Sequence, residues 1–307
     1  MKKVYFLDTV HSVLNERLSN ANYNCIDATK ENTEELREIL SDAYGIVLRS
    51  RFTLNQEILS FCPKLKFIAR SGSGLENIDL EYCVKNQIDV YSSPEGNRKA
   101  VAEHCLGFFL SLLNNFKGAD NDINNGEWLR EKNRGSELSG QCVGIIGYGN
   151  NGKEFAQALN SLNVPVLAHD KYKTGFSEGV IKESSIEEIF QKATLISFHV
   201  PLTEETAYMA DYQFFKRFKA PVLVINISRG KILKTKDLIN ALDEGFVLGA
   251  ALDVLDEESK SFTIEDKNNV LVDLNNRPNV IITPHVAGWT KESYFKLSNV
   301  LADKIIK

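Results

Sequence analysis

Three glycines stand at the G-x-G-x-x-G spacing near the middle of the chain, at Gly147, Gly149 and Gly152. In nucleotide-binding loops the first glycine allows a tight turn, the second lets the backbone approach a pyrophosphate, and the third lets helix and strand pack closely. Asp170 follows at the usual distance of about 20 residues, where a carboxylate binds ribose hydroxyls and repels a 2′-phosphate. The spacing predicts a dinucleotide site that prefers NAD to NADP, although two lysines close behind Asp170 weaken that preference.

Three further polar residues, Arg229, Glu258 and His285, each follow an apolar run in the second half of the chain. Oxidation of an alcohol by hydride transfer needs a base for the hydroxyl proton, and histidine is the side chain that titrates nearest to neutral pH. A carboxylate on the other ring nitrogen fixes the tautomer, while the fork of an arginine binds a substrate carboxylate in plane. Together the three residues predict oxidation of a 2-hydroxy acid.

Each of these residues also fits an ordinary structural role. A histidine after a proline is commonly a hydrogen-bonded structural residue, and Arg229 could pair with a nearby carboxylate. The acidic run at 256–258 could be a solvated loop, which leaves open whether Glu257 or Glu258 would contact the histidine. His104 is expected to be a satisfied helix residue, and His199 either lines the cofactor cleft or caps a strand.

Apolar runs alternate with polar amphipathic segments along the chain, and these elements must position the candidate residues. The runs predicted to be strands are 4–7, 46–48, 67–69, 88–91, 142–146, 164–169, 195–198, 222–227, 247–254 and 280–282. Long helices are predicted at 98–113 and 291–306, and Trp128 between them is expected to anchor packing. The alternation predicts an α/β fold with parallel sheets, whose ligands bind beyond the carboxyl ends of the strands.

The composition is that of an ordinary globular protein, since 43% of the 307 residues are hydrophobic and 25% are charged. A formal net charge of −5 and a sequence pI near 5.7 argue against a nucleic-acid partner. Five scattered cysteines without a C-x-x-C pair favour reduced thiols in a cytoplasmic protein over disulfides or a metal site. The most apolar segment, 101–113, is too short to span a bilayer, so no membrane partner is expected.

The chain resembles the D-isomer-specific 2-hydroxyacid dehydrogenases, and within that family the short type of D-3-phosphoglycerate dehydrogenase. The matching stretches occur in the family's order, at 70–79, 97–104, 143–149, 199–203, 225–230, 249–254 and 283–288. The resemblance implies two Rossmann-like domains, each a doubly wound parallel sheet. An NAD-binding domain of residues 97–285 would be inserted into a flavodoxin-like substrate domain of residues 1–96 plus 286–307. The active site would lie in the cleft between the domains, and a homodimer would form through the cofactor domain.

The resemblance also implies a role for each matching residue. Arg229 would bind and orient the substrate, His285 would be the general acid and base, and Glu258 would be its partner. Asp253 would hold the nicotinamide carboxamide, and Asp170 the adenosine ribose. The residues expected at the cofactor are Gly147, Tyr148, Gly149, Asn150, Asn151, Gly152, Asp170, His199, Val200, Pro201, Thr206, Ile227, Ser228, Asp253 and Gly288. Substrate contacts are expected from Arg49, Ser50, Ser73 and Gly74.

The sequence departs from the family pattern in three places. The pair Asn150-Asn151 replaces the commoner Arg-Ile pair in the glycine loop, Leu255 stands where Phe is usual, and Ser259 stands where Pro usually follows the catalytic glutamate. Counting five residues on from Asp253 favours Glu258 over Glu257 as the catalytic carboxylate. No appended regulatory domain is expected after the last helix.

The expected activity is NAD-dependent oxidation of D-3-phosphoglycerate to 3-phosphohydroxypyruvate, a step of serine biosynthesis. The preference for a phosphorylated acid rests on four arginines that could serve a phosphate, Arg49, Arg51, Arg70 and Arg98. Alternatives within the same class are a glyoxylate or hydroxypyruvate reductase and a D-lactate dehydrogenase. An alternative of a different class is an NAD(H)-sensing binding protein that resembles the corepressors of this fold.

Overall fold

The computed structural model describes residues 2–259, 264 and 269–307. These residues form two compact units. The first unit contains residues 2–98, 259 and 289–307, and the second contains residues 99–258, 264 and 269–288. The chain therefore leaves the first unit after about its first hundred residues and returns to it for its last helix.

A five-stranded parallel sheet in the order β2-β1-β3-β4-β5 forms the centre of the first unit. Its strands are β1 (Lys2–Phe6), β2 (Tyr23–Asp27), β3 (Gly45–Leu48), β4 (Phe67–Arg70) and β5 (Asp89–Ser92). The helices are α1 (Ser12–Asn20), α2 (Thr33–Ile39), α3 (Gln56–Ser60), α4 (Leu80–Lys85) and the closing helix Lys291–Ile305. A short 3₁₀ turn, Leu40–Asp42, precedes β3.

The side chains of β1 alternate between two apolar cores, one on each face of the first sheet. Val4 and Phe6 share one core with residues of α1 and of the closing helix. Tyr5 and Leu7 belong to the core on the opposite face. The period-two alternation of the strand therefore explains why both faces need helical cover. The closing helix supplies part of this cover.

A seven-stranded parallel sheet in the order β12-β11-β10-β9-β6-β7-β8 forms the centre of the second unit. Its strands are β6 (Val143–Ile146), β7 (Val166–His169), β8 (Ile181–Glu183), β9 (Leu195–Phe198), β10 (Val222–Asn226), β11 (Val247–Leu252) and β12 (Val280–Ile282). The helices are α5 (Arg98–Leu113), α6 (Phe116–Asn124), α7 (Asn150–Ser161), α8 (Ile186–Lys192), α9 (Tyr212–Lys216), α10 (Thr235–Asp243) and α11 (Asn269–Asn276). Two 3₁₀ turns lie at Leu138–Gly140 and Gly230–Ile232.

Strand β6 is the point at which the order of the second sheet reverses. The chain proceeds from β6 to β7 and β8 on one side, and from β9 to β12 on the other. In doubly wound sheets ligands bind beyond the carboxyl ends of the strands at such a switch point. The two buried cores on the faces of this sheet confirm the predicted α/β fold of parallel strands covered by helices.

One packing expectation is wrong. Trp128 is 85% exposed, so it does not anchor packing within the chain. Among the helices that the structure describes, none combines the length and the apolar character needed to cross a bilayer.

Candidate active site

The glycine loop joins β6 to α7, and Gly149 is the residue that caps the helix. Gly147 has a φ of +96°, and a β-carbon there would lie 2.7 Å from the carbonyl oxygen of His199. A β-carbon on Gly152 would lie 2.0 Å from the carbonyl oxygen of Gly147, so both positions require glycine. At Gly149 a β-carbon would meet nothing within 4 Å. The loop therefore leaves open space beside a helix N-terminus, where backbone N–H groups and the helix dipole favour a phosphate.

Two buried polar atoms lie in or beside this loop without a hydrogen-bond partner among the described residues, the side-chain oxygen of Asn151 and Nδ1 of His199. The other ring nitrogen of His199 contacts the hydroxyl of Ser197 at 2.9 Å. Burial lowers the pKa of His199 to about 3, so the ring is neutral at physiological pH. Because buried polar atoms are normally hydrogen-bonded, these two fit a site that a polar ligand completes.

Asp170 lies directly after β7 and is tied to the glycine loop. Its Oδ2 accepts the N–H of Tyr148 at 2.8 Å, and its Oδ1 accepts those of Tyr172 and Lys173 at 3.0 and 3.1 Å. Although burial opposes the shift, these backbone hydrogen bonds lower the pKa of Asp170. A carboxylate has about four acceptor sites. Three are used by the backbone, and the remaining capacity lies on Oδ2, which suits a ribose hydroxyl.

His285 and Glu258 form a close pair. The distance from His285 Nδ1 to Glu258 Oε1 is 2.7 Å, and both side chains are largely buried. Glu258 follows β11 in a turn closed by a 3.0 Å hydrogen bond from its N–H to the carbonyl of Leu255. A carboxylate on Nδ1 orients the ring and fixes its tautomer. The structure thus places Glu258, the residue favoured by counting from Asp253, on the histidine.

Asp253 organises the loop that carries His285. Its carboxylate is 1% exposed and accepts the N–H groups of Val286 and Ala287, each at 2.8 Å. Its carbonyl accepts the N–H of His285 at 2.8 Å. The hydroxyl of Thr283 donates a short hydrogen bond to the same carboxylate. Sequence reasoning did not find this function of Asp253 or of Thr283, and the only signal was a hydroxyl directly after β12.

Arg229 lies at the end of β10, the strand next to β11. Its Nη1 donates to the carbonyl of Ser228 at 2.7 Å, which restrains the guanidinium. A β-carbon on the neighbouring Gly230 would lie 1.8 Å from the carbonyl oxygen of Leu255. The loop of Arg229 is therefore packed directly against the loop that leads to Glu258.

The remaining predicted cofactor residues lie on the same edge of the second sheet. They follow β9, β10 and β12 and comprise Val200, Pro201, Thr206, Ile227, Ser228 and Gly288. The hydroxyl of Thr206 donates to the carbonyl of Pro201 at 2.7 Å, which closes the loop after β9. Because all strands of this sheet are parallel, the candidate cofactor and catalytic residues of the second unit share one edge.

In the first unit the four predicted substrate residues follow adjacent strands. Arg49 and Ser50 come directly after β3, and Ser73 and Gly74 come shortly after β4. The backbone N–H of Arg49 donates to Asp8 at 2.6 Å, and the hydroxyl of Ser73 donates to Asn97 at 3.0 Å.

The guanidinium of Arg49 lies 3.9 Å from the ring centroid of Trp289, a residue that sequence reasoning did not single out. Burial lowers the pKa of Arg49. Arg51 differs, because its guanidinium donates to the carbonyls of Leu7, Thr29 and Glu31. Arg51 is therefore a structural residue, and it is removed from the candidate phosphate ligands.

The chain matches one family of known proteins over most of its second unit. The family model for the D-isomer specific 2-hydroxyacid dehydrogenase, NAD binding domain, matches residues 106–287. D-3-phosphoglycerate dehydrogenase of Methanocaldococcus jannaschii is 32% identical over 91% of this chain and 52% of its own length. That of Bacillus subtilis is 31% identical over 92% of this chain and 52% of its own length. The chain thus spans about half the length of these curated relatives.

Solved structures cover the chain almost completely. D-lactate dehydrogenase from Aquifex aeolicus, complexed with NAD and lactic acid, superposes with a TM-score of 0.84 at 28% identity over 99% of this chain and 94% of that one. The NAD-complexed D-isomer specific 2-hydroxyacid dehydrogenase from Lactobacillus delbrueckii gives a TM-score of 0.84 at 22% identity, over 99% of this chain and 96% of its own. At that lower identity the second match shows the fold alone.

Proposed function

Because the chain belongs to the D-isomer-specific 2-hydroxyacid dehydrogenases, a family of NAD-dependent oxidoreductases, we propose that it interconverts a D-2-hydroxy acid and its 2-keto acid. The observation that carries this proposal is the 2.7 Å contact between His285 and Glu258 at the sheet edge that also holds the glycine loop. NAD, the cofactor of the family, supplies the hydride acceptor when bound.

His285 moves the proton in this proposal. Its Nδ1 is engaged by Glu258, so proton exchange with the substrate hydroxyl takes place at Nε2. In the oxidation direction the imidazole removes the proton, and in the reduction direction the imidazolium returns it to the carbonyl oxygen. The carboxylate of Glu258 stabilises the imidazolium and keeps the ring in one orientation.

Arg229 binds the substrate in this proposal. A guanidinium presents two parallel N–H donors to a carboxylate, and it also polarises a neighbouring carbonyl. The hydrogen bond to the carbonyl of Ser228 holds the side chain of Arg229 before the substrate arrives, which reduces the entropy lost on binding.

The residues of the glycine loop and Asp170 bind the cofactor. The open space at Gly149 would hold the pyrophosphate, and the remaining acceptor capacity on Asp170 Oδ2 would hold a ribose hydroxyl. The negative charge of Asp170 disfavours the 2′-phosphate of NADP. Asp253 would additionally hold the nicotinamide carboxamide.

D-3-phosphoglycerate is the proposed substrate, with 3-phosphohydroxypyruvate as its product, a step of serine biosynthesis. Among the described residues the guanidinium of Arg49 has no hydrogen bond or ion pair. It is partly buried and stacked on Trp289, and burial lowers its pKa although the nearby charge of Asp8 opposes this. A desolvated cation favours an anionic partner such as a phosphate. The two curated relatives carry the name D-3-phosphoglycerate dehydrogenase. Ser50, Ser73 and Gly74 would complete the substrate contacts.

Two other substrate classes remain as alternatives. The match to a D-lactate dehydrogenase with bound lactic acid favours a small unphosphorylated acid, as a glyoxylate or hydroxypyruvate reductase would also use. Such acids would leave Arg49 without its anion. An NAD(H)-sensing binding protein would keep the cofactor site and show no turnover.

The test compares kcat/KM for D-3-phosphoglycerate, D-glycerate and D-lactate with NAD. A preference of at least about tenfold for the phosphorylated acid is expected from one charge-assisted hydrogen-bonded pair. Equal kcat/KM values for the three acids would contradict the hypothesis of a phosphorylated substrate. If NADH binds but no 2-keto acid oxidises it, the hypothesis of a dehydrogenase is wrong.

The proposal includes a cytoplasmic homodimer formed through the second unit. Light scattering of the purified chain measures its mass directly. A mass near that of one 34.5 kDa chain at micromolar concentration would contradict the dimer.

A further inference from the structure

His285 has an unusual backbone. Its φ is +54°, in the left-handed region that non-glycine residues seldom occupy. Such a conformation persists at a side chain of this size only when the surrounding contacts impose it. The N–H of His285 donates to the carbonyls of Asp253 and Thr283, at 2.8 and 3.0 Å. The next two N–H groups both donate to the Asp253 carboxylate.

This carboxylate is held in turn from the side of α5. The Thr283 hydroxyl donates to Oδ1 of Asp253, and His104 Nε2 lies 3.2 Å from that hydroxyl oxygen. Because a hydroxyl has one hydrogen, Thr283 can only accept from His104, so His104 Nε2 carries the proton. Burial lowers the pKa of His104 although Asp253 opposes this, which is consistent with a neutral ring that donates from Nε2.

The resulting chain of hydrogen bonds connects residues far apart in sequence. It runs from the ring of His104 to the hydroxyl of Thr283 and on to the carboxylate of Asp253. Asp253 in turn accepts the N–H of His285 with its carbonyl and the N–H of Val286 with its carboxylate. His104 is fixed at its other side by an edge contact with Phe108, at 4.4 Å between ring centroids. Since Asp253 is almost fully buried, each donor lost from its carboxylate leaves an acceptor that water cannot readily satisfy.

We propose that His104 is a positioning residue for His285, acting through Thr283 and Asp253 to hold the left-handed backbone that presents the imidazole to Glu258 and to the substrate. The assignment of a reaction to His285 rests on the proposed function. The position of the ring does not, so the two can be tested separately.

The first experiment removes one link at a time. His104→Leu and Thr283→Val delete a donor each, while His104→Gln and Thr283→Ser keep one. A matched control is Thr194→Val, since the Thr194 hydroxyl accepts the N–H of Cys142 at 3.0 Å at the opposite edge of the same sheet. The deletions are expected to lower kcat about ten- to hundredfold, as small misplacements of catalytic groups do. The conservative variants and the control should stay near wild type. Any rise in the NADH dissociation constant, through the carboxamide contact proposed for Asp253, should be smaller than the fall in kcat.

The second experiment observes the ring directly. The chain has five histidines, so imidazole ¹⁵N resonances of histidine-labelled protein can be resolved, and the His285 signals are those absent in His285→Gln. In Thr283→Val and His104→Leu the His285 signals should shift or broaden, whereas Thr194→Val should leave them in place.

The outcomes separate the two hypotheses. A wild-type chain without turnover on any acid defeats the proposed function, yet shifted His285 signals in Thr283→Val would still support the positioning. Unchanged His285 signals in both deletion variants overturn it, whether or not kcat falls. A rise in the NADH dissociation constant that matches the fall in kcat also overturns it, because the network would then act on the cofactor.

Discussion

Glu258 Oε1 lies 2.7 Å from Nδ1 of His285, although the two residues are contributed by loops after different strands, β11 and β12. The contact decides which ring nitrogen is available for chemistry, because a carboxylate on Nδ1 requires the proton there when the ring is neutral. It also places a negative charge where a positive charge develops during oxidation of an alcohol. The pair is therefore the natural first target for mutagenesis.

Replacing Glu258 by Gln keeps the shape of the side chain and removes its charge. We expect kcat to fall about ten- to hundredfold, the value of a hydrogen bond to a charged group. Steady-state kinetics measure this, and Glu257→Gln is the matched control one residue earlier. If kcat falls by the same factor in both variants, the contact between Glu258 and His285 has no special role in catalysis.

Replacing His285 by Ala removes the proposed acid and base. We expect kcat to fall by about 10² to 10⁴, the usual contribution of a positioned proton-transfer group, while NADH still binds. Stopped-flow turnover and fluorescence titration of NADH check the two parts. A kcat equal to that of the wild type would mean that another group transfers the proton.

Replacing Asp170 by Asn removes the charge and keeps an oxygen that can accept backbone N–H groups. The KM for NAD should rise about tenfold and the preference for NAD over NADP should narrow, because the repulsion of a 2′-phosphate is lost. The ratio of kcat/KM for the two cofactors is the measurement. An unaltered ratio would remove the role assigned to Asp170.

Burial of His199 makes the stability of the apo protein depend on pH. Its folded pKa of about 3 lies below the unfolded value, so the unfolded state binds the proton first as the pH falls. The contribution of His199 is complete about one pH unit above 6.5 and is lost as the pH falls towards about 3; at pH 5 about 2 kcal/mol of it has been lost. Chemical denaturation of His199→Gln should show a correspondingly flatter profile between pH 6.5 and 5. Parallel profiles in that range would contradict the assignment, and the range above pH 7.5 serves as the internal control.

Replacing Arg49 by Met keeps much of the aliphatic stem and removes the charge stacked on Trp289. We expect kcat/KM for D-3-phosphoglycerate to fall about ten- to hundredfold, as on loss of a charge-assisted hydrogen bond, and the value for D-lactate to change little. The second substrate is thus the control for folding. Equal losses on both acids would show that Arg49 supports the structure and does not select a phosphate.

Much of the architecture could be predicted because periodicity and glycine spacing are local properties of the sequence. The buried runs of β6, β9 and β10 are almost purely apolar, and residues placed after them do lie at one sheet edge. Strand β2 was not predicted because Tyr23–Asp27 contains polar residues and, as the outermost strand of its sheet, is only partly buried. Strand β8 has three residues, too few to show an alternation.

The supporting contacts of the site could not be predicted for a different reason. The role of Asp253 depends on the left-handed φ of His285 and on two N–H groups beyond it, and a sequence does not display backbone conformation. His104 appeared to be an ordinary helix residue because its partner, Thr283, lies 179 positions away. The spacing of Asp253 and Glu258, in contrast, was visible as a count along one loop.

The first strands of the chain and its last helix share one apolar core, so the first unit cannot finish packing until the end of the chain has been synthesised. Until residues 291–305 leave the ribosome, the closing helix cannot cover Val4, Phe6 and Leu14. These side chains then form part of an exposed apolar surface. The second unit, whose residues all precede that helix, can fold earlier during translation. A nascent chain in which residues up to 288 have left the ribosome but residues 291–305 have not would therefore carry a folded second unit and an incompletely packed first unit, and chaperone binding should be strongest in that state.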